Sequence, residues 1–407
     1  MQQHITPGVL AVAGACALLL AGCGGDSGGQ LDGGGAQIPA VSRIDLLASD
    51  TRGMESVVLK DGAAFVSLSN SATQGTAVLK AALPLSSAST WTPVALGGCA
   101  LGPVGDFIVR APKLRMAGDT LWLIQPWTEG PDPAVQEHSA CTMTAQAASF
   151  APRDAGLRAC NEYFCSTLDM SDIKLSGTRL YSNAGAGLNL FGSSDGGATW
   201  RVLRGQFDAM MCTHTSFQVI GERVLVGGEC PLDFAFLEAY QLSADGLALA
   251  SQDKLALTVP ALQNRNIQFI EQVGGAQRIF VGVEGGLLRS EDGGKSFKFV
   301  IHHPVEGASI YPYVKSILAL KARPDTLVVS GFDKKNAKPY LAVSRDGGTS
   351  WQELSSMLPG YSQPPSGDTK AAIPTSLAED AQGHVLITLN EREDGQGRLL
   401  QLTLGRR

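Results

Sequence analysis

Three aspartates are the most conspicuous groups in the chain that could do chemistry. Each lies in the same eight-residue pattern: Ser193, Asp195, Gly197, Thr199 and Trp200; Ser290, Asp292, Gly294, Ser296 and Phe297; Ser344, Asp346, Gly348, Ser350 and Trp351. A carboxylate among hydroxyls can serve as a base or a metal ligand, but a turn accounts for every position of the pattern. Asp and Ser oxygens accept hydrogen bonds from turn amides, Gly takes positive φ without steric cost, and the aromatic ring buries a large face. These residues are therefore read as structural, and no catalytic residue is assigned. Two further constellations resemble metal ligands. Cys212 and His214 are two residues apart, but there is no C-x-x-C pair beside them. His302 and His303 are adjacent, and neighbouring side chains of a strand point to opposite faces. No metal and no cofactor is expected. Glu391, Arg392, Glu393 and Asp394 form a short charge run that reads as a solvated turn.

The elements that carry the three octapeptides follow from their flanks. Apolar or alternating runs precede them (188–191, 286–289, 340–343) and follow them (201–203, 298–301, 352–354), so each octapeptide is the turn of a β-hairpin. Asp292 and Asp346 are 54 residues apart, and Asp195 and Asp292 are 97 apart with a degenerate copy, Ser243, Asp245 and Gly246, midway. A period near 50 suits four-stranded propeller blades. Residues 86–96, around Trp91, look like an eroded copy. The composition agrees with an all-β chain: 44% hydrophobic, 17% charged, and 48 glycines in 407 residues. A net charge of −6 with scattered Lys and Arg gives no basic stripe, which argues against nucleic acid as a partner.

The repeat resembles the Asp-box, or bacterial neuraminidase repeat, of sialidases, sortilin-type receptors and photosystem II assembly-factor-like propellers. The resemblance implies that the octapeptide is the turn between the third and fourth strands of a blade, at the rim and away from the channel mouth. We expect a seven-bladed β-propeller over residues 39–407. Its blades would span 54–97, 113–160, 169–207, 215–259, 266–303, 313–358, and 371–404 completed by an N-terminal strand at 41–48. Six or eight blades are the alternatives, because 113–160 defines the second blade weakly.

Residues 1–22 contain no Asp, Glu, Lys or Arg, and an apolar run from Val9 to Ala21 ends in Leu20, Ala21, Gly22 and Cys23. The run is short for a membrane span of about 20 apolar residues and reads as a secretory signal. The four residues resemble the bacterial lipobox, which implies cleavage after Gly22 and lipidation of Cys23. Gly24, in place of Asp, favours the outer membrane under the enterobacterial sorting rule. Residues 23–38 would be the lipidated cysteine and a Gly-rich tether.

Six cysteines remain for an oxidising compartment, and six cysteines allow 15 pairings. The pairing adopted is Cys160 with Cys165, Cys212 with Cys230, and Cys99 with Cys141.

Function is less legible. A sialidase-like glycoside hydrolase would carry an Arg-Ile-Pro string, and the nearest match is Arg43, Ile44 and Asp45, with Asp where Pro belongs. Long loops on a rigid scaffold favour recognition instead. One such loop runs from Trp122 to His138 and contains Trp127, Glu129 and His138. A second gathering of imidazole and aromatic groups comprises His302, Tyr311 and Tyr313. The expectation is a monomeric, non-catalytic envelope lipoprotein that binds a protein or glycan through loops, with a glycoside hydrolase as the alternative.

Overall fold

The computed structural model describes residues 42–69, 77–99, 112–124, 138–143, 149–160, 165–167, 170–184, 189–205, 212–230, 235–262, 265–302, 312–333, 338–361, 372–391 and 396–405. Cys23, Trp127, Glu129 and Tyr311 lie outside them.

Seven antiparallel sheets follow one another along the chain, each with its strands in meander order. Their first strands are Met54–Lys60, Lys113–Ala117, Met170–Ser176, Thr213–Ile220, Ile267–Gln272, Tyr313–Leu320 and Ala372–Glu379. Each packs against the first strands of its two neighbours, and the last packs against the first, so the sheets close into a ring. The protein is a seven-bladed β-propeller, as the repeat spacing predicts. The seventh blade takes its outer strand from the N-terminal side: Arg43–Asp50 pairs antiparallel with Gln396–Thr403, with Ile44 opposite Leu402 and Leu46 opposite Leu400. This pairing hides an edge that would otherwise offer unpaired N–H and C=O groups.

Burial explains which sequences became which strands. Second strands such as Thr120–Ile124 and Ile279–Val283 are buried along almost their whole length, because a blade lies against each face. Buried side chains group into seven clusters among the described residues, and each cluster spans one junction between neighbouring blades.

The three octapeptides share one hydrogen-bond scheme. The Ser hydroxyl donates to Asp Oδ1 at 2.8, 2.7 and 2.7 Å in turn, and accepts the Gly amide at 2.9, 2.9 and 2.8 Å. Asp Oδ1 accepts the amide four residues on, and Oδ2 accepts the hydroxyl there. The Thr199 hydroxyl and amide, then the Ser193 hydroxyl, hold the Asp195 carboxyl down to about 2. Asp292 and Asp346 lie below the usual carboxylate range for the same reason, against the opposing effect of burial. The degenerate copy shows what the second glycine supplies. Leu247 stands in its place, and the scheme shifts: Asp245 Oδ1 accepts the Leu247 amide and Ser243 Oγ accepts the Ala248 amide. Leu cannot take the φ of +79° to +86° found at Gly197, Gly294 and Gly348 without strain. The fourth blade consequently has three strands, and the Ala250 and Leu255 amides bond Gln241 and Ala239 in place of a fourth. In the eroded copy, Ser86 and Ser89 hydroxyls accept the turn amides without a carboxylate.

One boundary differs from expectation. The second blade ends at Ala151–Pro152 rather than at 160, because Arg158–Cys160 and Cys165–Thr167 form a separate hairpin that sets Cys160 opposite Cys165. The side chains of that pair lie outside the described residues. Cys99 is bonded to Cys141 across the junction of blades one and two, and Cys212 to Cys230 across the mouth of the fourth blade.

The second glycine of each turn also meets the preceding blade. A Cβ at Gly197 would lie 2.3 Å from Trp122, and at Gly294 2.6 Å from Leu225, whereas one at Gly196 meets nothing within 4 Å. Gly196 and Gly197 both have positive φ. Gly196→Ala should therefore cost about 1–2 kcal/mol of stability, and Gly197→Ala a further ~1–3 kcal/mol from overpacking against Trp122. Thermal or denaturant unfolding checks this, and equal losses would contradict the packing role.

Candidate functional site

The ring of first strands is the place where a propeller can bring residues from many blades together. Six of the seven strands carry a β-bulge one to three residues from their start. The residue after the bulge is Ser in four of them: Ser56, Ser216, Ser316 and Ser376. Three of these hydroxyls accept the amide of the next blade's strand: Ser56 from Leu114, Ser216 from Ile270 and Ser376 from Val57. These bonds set the blades in a common register, which allows the positions to be compared around the ring.

Two residues further along, the ring divides in two. Blades two to five present Arg115, Lys174, Gln218 and Glu271, whereas blades six, seven and one present Leu318, Ala378 and Val58. The polar half is internally paired. Arg115 Nε donates to Asp172 Oδ1 at 2.8 Å, and Lys174 Nζ lies 3.9 Å from Asp172 Oδ2 and 2.9 Å from Glu271 Oε1. Lys174 also donates to Gln218 Oε1 and to the Ile270 carbonyl, reaching past the fourth blade to the fifth. Charge alternates along this chain of groups. Its middle members, Asp172 and Lys174, are nearly buried, with side chains 12% and 10% exposed, and its ends, Arg115 and Glu271, are about one third exposed. Burial would push the Asp172 carboxyl up, but Arg115 and Lys174 hold it below its ordinary range. The Arg115 guanidinium is raised by the same pairing with Asp172 against the pull of burial.

Both carboxylates of this chain of groups have a cationic partner. A glycosidase needs one carboxyl kept protonated as general acid beside a second, free one. Asp172 is pinned as a carboxylate, and Glu271 is paired with Lys174.

A second cluster lies at the end of the ring from which the second-to-third-strand turns emerge. Arg265 donates to the Glu284 and Gly285 carbonyls, sits over the Phe299 ring and contacts His302 Nε2 at 3.3 Å. His302 stacks on Phe299 at 4.4 Å, and Tyr313 packs on Phe332 at 4.6 Å with Lys315 over the same ring. Burial, then Glu284, pushes the Tyr313 hydroxyl up to about 12. Thus His302 and Tyr313, grouped by the sequence, meet around the Glu284–Gly285 turn. His138 is placed elsewhere: its Nδ1 pairs with Asp154, whose carboxylate also caps the Ser139 amide.

The sequence did not single out Arg115, Asp172, Lys174, Glu271 or Arg265. A weak signal existed in Asp172 and Lys174, charges on either side of Ile173 in an otherwise strand-like run. Their partners lie in other blades, and sequence order does not place those.

Cys212 is consumed in its disulfide and cannot ligate a metal with His214. The His214 imidazole is fully buried and lies 5.9 Å from the Phe236 ring. Burial, then Arg204, lowers its pKa to about 4.

No protein-family model and no curated protein matches this sequence. Solved structures do match in shape. Over 88% of this chain and 98% of the other, it superposes on YCF48 from Cyanidioschyzon merolae with a TM-score of 0.52 at 11% identity. A structure of YCF48 bound to D1 peptide gives 0.51 at 12% identity, covering 91% and 100% of the two chains. A GH74 xyloglucanase from Xanthomonas campestris gives 0.50 at 13% identity, covering 87% of this chain and 54% of that one. Likeness at this identity establishes the propeller fold.

The buried imidazole makes a testable claim. His214 stays neutral in the folded protein down to about pH 4, while an unfolded imidazole takes up a proton near 6.5, so its contribution is complete above about 6.5 and declines as pH falls to 4. The loss is at most ~3 kcal/mol. Unfolding free energies from pH 7 to 4.5 should fall less steeply for His214→Phe than for the parent; parallel curves would contradict the burial argument.

Proposed function

We propose that the chain is a lipid-anchored bacterial envelope protein whose propeller binds a protein partner without catalysing a reaction. The observation that carries this reading is the pairing of charge in the ring: Arg115, Asp172, Lys174 and Glu271 satisfy one another. Such a network can exchange one internal partner for a ligand's charge at its exposed ends, Arg115 and Glu271, but it holds no carboxyl in reserve as a general acid. Beside it, the cationic and aromatic groups around Arg265, His302, Tyr313 and Lys315 form the kind of surface that recognises polypeptide. The fold is shared with a protein whose structure was solved bound to a peptide and with a xyloglucanase, so fold likeness alone favours neither class. The ring chemistry favours binding.

Anchoring belongs to the same proposal. On this reading Cys23 carries the lipid, residues 24–38 form the tether, and the propeller is a monomer anchored at the outer membrane.

Two experiments test the proposal in the producing bacterium. Cys23→Ser should move the protein from the membrane to the soluble fraction, and a soluble, unlipidated parent protein would overturn the anchor. A photo-crosslinking residue at Lys315, which is exposed on the loop-bearing end, should give a discrete protein adduct in intact cells. An adduct unchanged by Arg265→Ala together with His302→Ala, or none at all, would contradict the binding reading.

A further inference from the structure

At the residue before the bulge, five of the six bulged first strands carry an apolar residue: Met54, Met170, Ile267, Val314 and Pro374. The fourth blade has His214 there. Register across the blade explains how a buried imidazole fits. His214 lies opposite Gly228 of the second strand, and Gly228 opposite Phe236 of the third. With no side chain between them, the His214 and Phe236 rings face each other across the second strand.

The surroundings of His214 are ill suited to a positive charge. From the third blade come the Asn189 backbone, which bonds the imidazole, the Arg204 guanidinium, and Asn183, whose Nδ2 donates to the His214 carbonyl at 2.8 Å. From the third strand of its own blade comes Glu238, and that carboxylate is already shared. It accepts the Tyr240 hydroxyl at 2.5 Å, lies 3.7 Å from Arg204 Nη1 and pairs with Lys254. Cys212, two residues before His214, is held in its disulfide and does not titrate. A proton on His214 therefore sets an imidazolium beside a guanidinium, with a carboxylate that other groups occupy.

The elements that cover this imidazole are slight. Arg204 ends the four-residue outer strand Arg201–Arg204. The fourth blade has three strands, and the strip that follows is tied to the third through the Ala250 and Leu255 amides. The first and second strands, in contrast, pair along their whole length from Thr213 to Ile220 and are fastened at one end by the Cys212–Cys230 bond.

We propose that the fourth blade is an acid-operated opening in the propeller: in mild acid its third strand, Ala235–Gln241, and the strip that follows part from the outer strand of the third blade and hydrate His214, while the first two strands stay in the ring. The sign follows from linkage. Burial, then Arg204, holds the enclosed imidazole at about 4, whereas a hydrated one titrates near 6.5. Closure is fully favoured above about 6.5, and the open form gains up to about tenfold for each pH unit below it, until the enclosed imidazole also takes a proton near 4. Openings of single structural units below the global unfolding limit are a general property of folded chains. The device rests on neither the lipid anchor nor the binding reading.

Hydrogen–deuterium exchange of the full-length protein in detergent, read as protection factors at about pH 7.5 and about pH 5, tests it. Residues 235–255 should lose about tenfold or more of their protection at the lower pH, about thirtyfold being the limit set by the distance from pH 5 to an ordinary imidazole. The corresponding strands of the fifth blade, Gly286–Ser290 and Lys298–His302, should keep theirs. His214→Phe should abolish the loss. Arg204→Gln, which removes the neighbouring charge, should reduce it, and it decides the matter alone if the His214 variant does not fold. An equal loss in the fifth blade would make the response one of global stability, and the opening fails. It fails equally if residues 235–255 keep their protection at the lower pH, or lose it as fully in either variant as in the parent.

Discussion

Every sheet in this protein depends on its neighbours, because four short strands cannot bury two apolar faces by themselves. The seven buried clusters are seven junctions, and none is internal to a blade. The octapeptide turn is the device that makes a junction close. Its Ser and Asp fix the turn, its second glycine brings the backbone against Trp122, Leu225 or Phe280 of the preceding blade, and its aromatic ring fills the same junction. Trp122 and Trp200 meet edge to face at 6.0 Å across blades two and three. Where the motif decays, at Leu247, the blade loses its fourth strand. Pairing of Arg43–Asp50 with Gln396–Thr403 then gives the seventh blade its outer strand and closes the ring.

A closed ring is a stiff frame, and stiffness determines what the ring can present. Hydroxyls at the bulges lock adjacent blades in register, so side chains from four blades reach one another with little adjustment. The polar half of the ring uses that precision to pair charges, whereas Val58, Leu318 and Ala378 of the apolar half pack against the clusters between blades. On the proposed reading this asymmetry is a recognition feature. Paired charges are already satisfied in the free protein, so a ligand competes for them and is selected by geometry. An enzyme of the same shape would instead hold a protonated carboxyl against its solvent preference.

How much of this was legible follows from range. The octapeptides, the alternation and the 50-residue period are local, and they were enough for an all-β ring of seven blades and for the N-terminal strand that completes it. The turn serines and aspartates were assigned as structural on the same local grounds, and their hydrogen bonds have that form. The second blade's end was misplaced because the hairpin around Cys160 and Cys165 imitates an outer strand in sequence. The ring network was invisible for a different reason: Arg115, Asp172, Lys174 and Glu271 come from three blades, and only the common register of the bulges aligns them. His302 and Tyr313 were grouped by proximity in sequence, and the Glu284–Gly285 turn that gathers them was not.

Recognition without catalysis is the central claim, and glycoside turnover by the repurified full-length protein tests it most directly. A panel of fluorogenic glycosides, sialosides and xyloglucan oligosaccharides included, should give no release above a denatured control. Turnover that persists through repurification and disappears in Asp172→Asn or Glu271→Gln would contradict it, and would make those two carboxyls catalytic residues rather than members of a paired network.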